Sequence, residues 1–295
     1  MTALYKKLRG TGVALVTPFH KDGSVDFKCL KKLVESVISG KVEYLVPLGT
    51  TGESVTLNED EKIAVLDFVI EVNDGRVPVV LGLGGNNTQQ VINHFKSFSF
   101  DGVDAILSVS PYYNKPTQKG IFQHYKMIGN AAPVPVILYN VPSRTSGNMY
   151  AETTLQIAEE VHNIIGIKEA SGNFEQVMQV IKNKPANFLV ISGDDMITLP
   201  LVAAGADGVI SVVANAYPRQ FSEMVRQCLK GNFEKAGETH YKLLDFTHHI
   251  FSEGNPVGIK AALNILNVCE EHVRLPLVSA SRGAFNKLEA VMQSV

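Results

Sequence analysis

The stretch NIIGIKEASGN, residues 163–173, predicts a buried strand that turns into a helix, because a β-branched run ends in small and polar residues. Lys168 lies at the carboxyl end of that strand. Lysine is rarely buried alone, so its ammonium group must reach solvent, pair with a carboxylate such as that of Glu169, or lose its proton. In the third case the neutral amine can attack a ketone or aldehyde and form a Schiff base.

The composition is that of a globular protein with a full hydrophobic core. Of the 295 residues, 45% are hydrophobic and 19% are charged, and 27 basic side chains oppose 29 acidic ones. This balance predicts neither a nucleic-acid nor a membrane partner, which leaves a small molecule as the expected partner. The three cysteines, Cys29, Cys228 and Cys269, are too scattered for a disulfide framework or a metal site, so we expect a reduced, cytoplasmic protein.

Short apolar runs alternate with amphipathic segments through most of the chain. Near-continuous apolar runs are typical of parallel strands that are covered on both faces. The eight candidate strands are residues 12–16, 44–48, 78–83, 105–109, 134–139, 164–168, 188–192 and 208–213. The helical candidates between them are residues 26–39, 58–72, 88–98, 118–131, 151–160 and 173–182.

Eight successive strand–helix units predict an α/β fold, the (β/α)8 TIM barrel, because each parallel neighbour needs a crossover helix. A doubly wound open sheet is the alternative, and it ranks second because no dinucleotide fingerprint follows the first strand. Beyond Val213 the pattern is helical, with breaks near residues 231, 254–256 and 275–276. We therefore predict a barrel over residues 1–230 that carries the active site, and a C-terminal helical appendage over residues 231–295 packed on it.

In such barrels the chemistry lies at the carboxyl ends of the strands, so the residues that follow each strand are candidates. Strand two runs into Gly49-Thr50-Thr51-Gly52, whose hydroxyl and amide groups could hold a carboxylate, although a plain turn is the simpler interpretation. After strand four, Tyr112 and Tyr113 lie between two prolines. That loop suits either a positioned phenol or simple aromatic packing.

Strand five ends in Tyr139, and Arg144 lies in the following loop. Tyr139 would supply a proton donor, and Arg144 would supply a guanidinium fork for a carboxylate. The alternative is that Tyr139 is a ring of the core and Arg144 a solvated loop charge. Asp194 and Asp195 follow strand seven, and we interpret them as caps of the next helix instead of a metal site. The eight histidines also lack metal-ligand spacing, so we expect no metal.

Taken in order, these strand-end motifs resemble the dihydrodipicolinate synthase family of Schiff-base pyruvate lyases and aldolases. The resemblance implies condensation of pyruvate with L-aspartate-4-semialdehyde to 4-hydroxy-tetrahydrodipicolinate, in lysine and diaminopimelate biosynthesis, without a cofactor. A related pyruvate-dependent aldolase, such as N-acetylneuraminate lyase, is the alternative, against which Arg144 argues. The motifs are residues 49–54, 111–116, 139–145, 165–170 and 192–195, and the match continues to residues 255, 256 and 260.

By this resemblance, four residues would carry the chemistry. Lys168 would form the imine with pyruvate, and Tyr139 would donate and accept protons beside it. Thr50 and Tyr113 would complete a proton relay with Tyr139. In the family, the tyrosine that matches Tyr113 enters the neighbouring subunit's site, which implies a tight dimer and commonly a homotetramer of two such dimers.

Three further residues would bind the substrates. The resemblance implies that Thr51 and the backbone of Ile210 hold the carboxylate of pyruvate. Arg144 would hold the carboxylate of the aldehyde substrate.

The sequence departs from the family where some members bind lysine as a feedback inhibitor. Glu59 and Lys62 stand where the well-studied bacterial form has histidines. Gln90 replaces a carboxylate that would neutralise the ε-ammonium group of lysine. Asn86 and Tyr112 are retained, and we expect weak or absent inhibition by L-lysine.

Overall fold

Eight short apolar segments form the strands of a parallel barrel. The structure, a computed structural model, describes residues 3–295. The strands are β1 Gly10–Ala14, β2 Tyr44–Val46, β3 Val80–Gly82, β4 Ala105–Val109, β5 Val136–Asn140, β6 Ile164–Glu169, β7 Leu189–Ser192 and β8 Gly208–Ser211. Their hydrogen-bonded order is β2-β1-β8-β7-β6-β5-β4-β3, and a parallel bridge between Leu45 and Val79 brings the two ends together. The predicted (β/α)8 barrel is therefore confirmed, and the doubly wound open sheet is excluded.

Helices follow the strands and cover the outside of the barrel. They are α1 Ala3–Lys7, α2 Phe27–Ser39, α3 Glu59–Asn73, α4 Thr88–His94, α5 Gln118–Ala131, α6 Pro142–Thr145, α7 Ala151–Glu160, α8 Phe174–Asn183, α9 Thr198–Ala203, α10 Pro218–Leu229, α11 Phe233–Ile250, α12 Val257–Ile265 and α13 Arg282–Met292. The predicted bounds of α5 and α7 match the structure. The predicted second strand is two residues too long, because Leu48 has a φ of +59° and cannot continue a strand.

Successive residues of each strand face opposite sides, and this alternation divides the buried side chains into two clusters. Ile167 and Val190 belong to the larger cluster, in which the outer faces of the strands pack against the helices. Tyr44, Ile137 and Ile191 belong to the smaller cluster, inside the barrel. Tyr139 and Lys168 share this inner register, so the sheet itself directs both side chains into the barrel.

The C-terminal helices α11, α12 and α13 pack on one another, and α11 also packs on α10. The rings of Tyr217, at the start of α10, and Phe246, on α11, meet edge to face with centroids 4.8 Å apart. The segment between α10 and α11, residues 230–232, contains the helix break predicted near residue 231, whereas the division into two domains stays a prediction. Residues 1 and 2 of the predicted first domain lie outside the described residues. Between residues 3 and 295, every helix is too short or too polar to cross a membrane.

Candidate active site

Strands β5 and β6 bring Tyr139 and Lys168 together, because the two residues are direct partners in the parallel register. Both side chains face the barrel interior and are only 7% and 6% exposed. The Lys168 Nζ atom lies 4.3 Å from the centroid of the Tyr139 ring. A cavity of about 350 Å³ at the carboxyl ends of the strands is lined by both residues. The amine and the phenol are therefore placed to act on one small molecule.

Glu169 does not pair with Lys168, because neighbouring residues of a strand point in opposite directions. Its carboxylate accepts hydrogen bonds from Asn140 Nδ2 at 3.1 Å, the Ser171 backbone N–H at 2.8 Å and Gln176 Nε2 at 3.0 Å. Burial raises the pKa of Glu169, and these hydrogen bonds oppose the shift. Within the described chain Lys168 forms no ion pair. The simpler interpretation of Lys168, as the partner of Glu169, is therefore wrong.

The two threonines after β2 lie at the same cavity. Residues Thr50–Gly52 form one turn of 3-10 helix, and both Thr50 and Thr51 line the cavity with Lys168. Thr51 is 2% exposed, and its Oγ1 accepts a hydrogen bond from Asn255 Nδ2 at 3.0 Å. The plain-turn interpretation is therefore incomplete, since the turn delivers two hydroxyl groups to the cavity.

Arg144 lies on α6 at the rim of the cavity. Its side chain is exposed, and Nη2 donates a long hydrogen bond of 3.4 Å to the backbone oxygen of Asn255. Most of its N–H groups thus remain available to a ligand. A guanidinium fork in this position suits a carboxylate that enters from solvent.

Asn255 and Gly193 are two cavity residues to which the sequence pattern assigned no role. Asn255 joins the threonine loop to Arg144, and its buried Oδ1 has no hydrogen-bond partner among residues 3–295. A Cβ atom on Gly193 would lie 3.0 Å from Lys168 Cε and 2.7 Å from Ala170 Cβ, so any side chain there would displace the lysine. Both residues lie in segments that carry the family resemblance, residues 192–195 and 255–256, but the resemblance gave neither of them a role.

Two of the predicted site residues do not line this cavity. Tyr113 is 89% exposed and has a φ of +70° on the loop after β4. Ile210 is buried in β8, and its side chain belongs to the cluster inside the barrel. The role predicted for Ile210 concerns its backbone, and the role predicted for Tyr113 requires a second copy of the chain.

The prediction that Asp194 and Asp195 cap the next helix is wrong. The N-cap residue of α9 is Ile197, which forms no side-chain capping bond. Asp194 Oδ1 accepts a hydrogen bond from the Met196 backbone N–H at 2.9 Å, before the helix begins. Asp195 Oδ2 instead accepts hydrogen bonds from the backbone N–H groups of Val212 and Val213, after β8, at 2.8 and 3.1 Å. Burial raises the pKa of Asp195 to about 6. Within residues 3–295 no group of three or more histidine, cysteine or acidic side chains is arranged to hold a metal ion.

Comparison with known proteins shows the family of this chain. The model of the dihydrodipicolinate synthetase family matches residues 7–295. The chain belongs to this family. A relative from Flavobacterium psychrophilum, named 4-hydroxy-tetrahydrodipicolinate synthase, is 55% identical over 280 residues, which cover 95% of this chain and 96% of the relative. A relative of the same name from Parabacteroides distasonis is 51% identical over 288 residues, with 98% and 97% coverage.

Solved structures of the dihydrodipicolinate synthetase family have the same fold. The dihydrodipicolinate synthase of Aquifex aeolicus superposes with a TM-score of 0.94 at 40% identity, covering 97% of both chains. That of Thermotoga maritima has a TM-score of 0.94 at 41% identity and the same coverage. The predicted family and its enzyme class, a lyase, are confirmed.

Proposed function

We propose that this chain condenses pyruvate with L-aspartate-4-semialdehyde to give 4-hydroxy-tetrahydrodipicolinate, for lysine and diaminopimelate biosynthesis. The observation that carries the proposal is the unpaired amine of Lys168 beside the Tyr139 ring in a cavity at the barrel mouth. The names of relatives at 51% and 55% identity support the same activity.

Lys168 acts as the nucleophile in this proposal. Its neutral amine adds to the ketone carbon of pyruvate, and the resulting carbinolamine loses its oxygen as water after that oxygen is protonated. The protonated imine withdraws electrons from the pyruvate methyl group, so that loss of a methyl proton gives an enamine. The enamine carbon then attacks the aldehyde, whose oxygen takes up a proton. The amino group of the aldehyde substrate adds to the imine carbon and displaces the Lys168 amine, which closes the ring and releases the product. Carbon–carbon bond formation therefore needs no group beyond the lysine itself and a means of moving protons.

Tyr139 moves those protons. Its phenol lies at the same cavity as Lys168, and general acid–base help of this kind is worth about 10²–10⁴-fold in rate. Thr50 also lines the cavity. In the proposed relay its hydroxyl group passes protons between Tyr139 and a second phenol, that of Tyr113. Because Tyr113 does not line the cavity of its own chain, it serves the site of a second copy. The functional unit is then a tight dimer, and two dimers form a homotetramer.

The substrates are held by their carboxylates. Thr51 and the backbone of Ile210 bind the carboxylate of pyruvate, and the hydrogen bond from Asn255 fixes the Thr51 hydroxyl group for this purpose. Arg144 binds the carboxylate of the aldehyde in a bidentate manner from the cavity rim.

The remaining proposals concern the setting of the enzyme. The site belongs to the barrel of residues 1–230, and the helical region of residues 231–295 packs on it and contributes Asn255. The enzyme is cytoplasmic, which agrees with three cysteines that form no disulfide within residues 3–295.

A direct comparison of two reactions tests the proposal. Purified enzyme is assayed for condensation of pyruvate with L-aspartate-4-semialdehyde, and in parallel for cleavage of N-acetylneuraminate. The exposed Arg144 fork favours the small charged aldehyde over a long polyhydroxylated substrate, so we expect turnover in the first assay only. Faster cleavage of the sugar acid would replace this function with that of the related aldolase.

A further inference from the structure

The loop that carries Thr50 and Thr51 ends at Glu53, which has an unusual backbone. Glu53 has a φ of +51° and ψ of +35°, in the left-handed region that residues other than glycine seldom adopt. Such a conformation persists only where the surroundings fix it strongly. Glu53 is 3% exposed and does not line the cavity, so a direct role in catalysis does not explain it.

The surroundings that fix Glu53 come from the C-terminal helical region. Lys260 of α12 is fully buried, and its Nζ lies 2.5 Å from Glu53 Oε1. The other carboxylate oxygen, Oε2, accepts a hydrogen bond from the backbone N–H of Arg274 at 3.0 Å. Lys260 Nζ also donates to the backbone oxygen of His272 at 2.8 Å and lies 4.1 Å from the centroid of the Phe19 ring. Burial lowers the pKa of Lys260, and the Glu53 carboxylate opposes that shift.

The side chain of Arg274 holds the far side of the same loop. Its Nη1 donates to the backbone oxygen of Thr56 at 2.8 Å and to Glu61 Oε2 at 2.8 Å. Its Nε donates to the backbone oxygen of Gly23 at 2.9 Å. The C-terminal region therefore contacts the loop on both sides of Val55, and it also contacts the first turn of α3.

We propose that Glu53 and Lys260 are positioning residues for pyruvate binding, acting through the conformation of the Thr50–Gly52 turn. The inference rests on the proposed function, in which Thr51 holds the pyruvate carboxylate. The buried ion pair keeps the turn in one conformation before pyruvate arrives. Without it the turn has several conformations, and the apparent affinity for pyruvate falls in proportion to the binding-competent fraction.

The first test is Glu53→Gln, which keeps the size of the side chain and removes its charge. We expect the KM for pyruvate to rise about tenfold, because roughly one loop in ten then has the competent conformation. The kcat at saturating pyruvate and the KM for the aldehyde should change less than about threefold, because bound pyruvate restores the turn.

A second variant separates positioning from stability. A buried lysine that has lost its acid is costly, so Glu53→Gln alone should unfold at a lower temperature than the parent. Combining it with Lys260→Met removes the unpaired charge and should recover most of that thermal stability. If the ion pair positions the turn, the double variant regains stability while its KM for pyruvate remains raised.

A matched control lies at the opposite end of the barrel. Lys184 Nζ forms a 2.7 Å ion pair with Asp207, whose side chain is 5% exposed, immediately before β8. Asp207→Asn removes the charge from a largely buried pair, with side chains 14% and 5% exposed, that does not line the cavity. It should lower the unfolding temperature and leave the KM for pyruvate unchanged.

The outcomes are distinct. The proposal is supported if the KM for pyruvate rises about threefold or more while the KM for the aldehyde does not. The double variant must show the same rise in the KM for pyruvate. A smaller rise, an equal rise in both KM values, or the same rise in Asp207→Asn overturns the proposal. Borohydride trapping of pyruvate on the parent protein is run alongside. Failure of that reaction would refute the proposed function itself, whereas successful trapping with unchanged variants refutes only the positioning role.

Discussion

The Lys168 Nζ atom lies 4.3 Å from the ring centroid of Tyr139, and the register of two adjacent strands is sufficient to place it there. Because β5 and β6 are hydrogen-bonded neighbours, this relationship is built into the sheet and does not depend on a flexible loop. The proposed nucleophile and the proposed proton donor thus lie on adjacent strands of the barrel. Arg144, assigned to the carboxylate of the aldehyde, and Tyr113, assigned to the proton relay, lie on segments that follow the strands.

Replacing Tyr139 with phenylalanine removes the hydroxyl group and keeps the ring. We expect kcat to fall by about 10²–10⁴-fold, because the proton donor is lost, while the thermal unfolding midpoint stays near that of the parent. Tyr125→Phe is the matched control, since its buried hydroxyl donates to the Ser108 backbone oxygen away from the cavity. Steady-state kinetics on both variants provide the measurement. A near-parent rate for Tyr139→Phe would remove this residue from the mechanism.

Replacing Arg144 with lysine keeps the charge and loses the fork. We expect the KM for L-aspartate-4-semialdehyde to rise about tenfold, because a bidentate pair is replaced by a single contact. Trapping of pyruvate on Lys168 should be unaffected. The control variant is Arg282→Lys. Arg282 is exposed at the start of α13 and does not line the cavity. If the pyruvate KM rose instead, Arg144 would have been assigned to the wrong substrate.

Mixing two inactive variants tests whether Tyr113 acts between subunits. Lys168→Ala and Tyr113→Ala each impair both sites of a homodimer. If Tyr113 serves the site of its partner, both defects of a mixed dimer fall in one site, and the other site is intact. Unfolding and refolding a one-to-one mixture should therefore restore about a quarter of the parent activity, since half of the random dimers carry one intact site each. Recovery no greater than the average of the two variants would mean that Tyr113 serves its own chain or no site.

L-Lysine is expected to inhibit this enzyme weakly or not at all. Glu59 and Lys62 line a second cavity of about 320 Å³, next to Thr50, together with Val55 and Tyr112. The Lys62 ammonium group repels the ε-ammonium group of a lysine ligand, and Gln90 offers no charge to neutralise it. Steady-state rates measured against increasing L-lysine provide the test. An inhibition constant below one millimolar would contradict the expectation.

The barrel and most of the site could be predicted because both depend on local periodicity. The apolar runs marked the strands. Tyr139 and Lys168 end two of the predicted strands, Thr50 lies in the turn after another, and all three line one cavity. The same period of two implies that Lys168 and Glu169 face opposite sides, which the alternative ion-pair interpretation overlooked.

Contacts between distant parts of the chain could not be predicted in this way. Asp195 binds amides that follow the neighbouring strand, so a residue with the local pattern of a helix cap has a different role. Asn255 reaches Thr51, and Lys260 reaches Glu53, across more than 200 residues. Sequence periodicity reports which face of an element a residue occupies, but not which distant element covers that face.

Reductive trapping of pyruvate tests the proposed role of Lys168 most directly. Enzyme, pyruvate and borohydride are mixed, and the digested protein is examined by mass spectrometry. We expect one reduced pyruvate adduct, on the peptide that contains Lys168, and no adduct on the Lys168→Ala variant. An adduct on another lysine, or an unmodified Lys168 peptide after reduction at saturating pyruvate, would contradict that role.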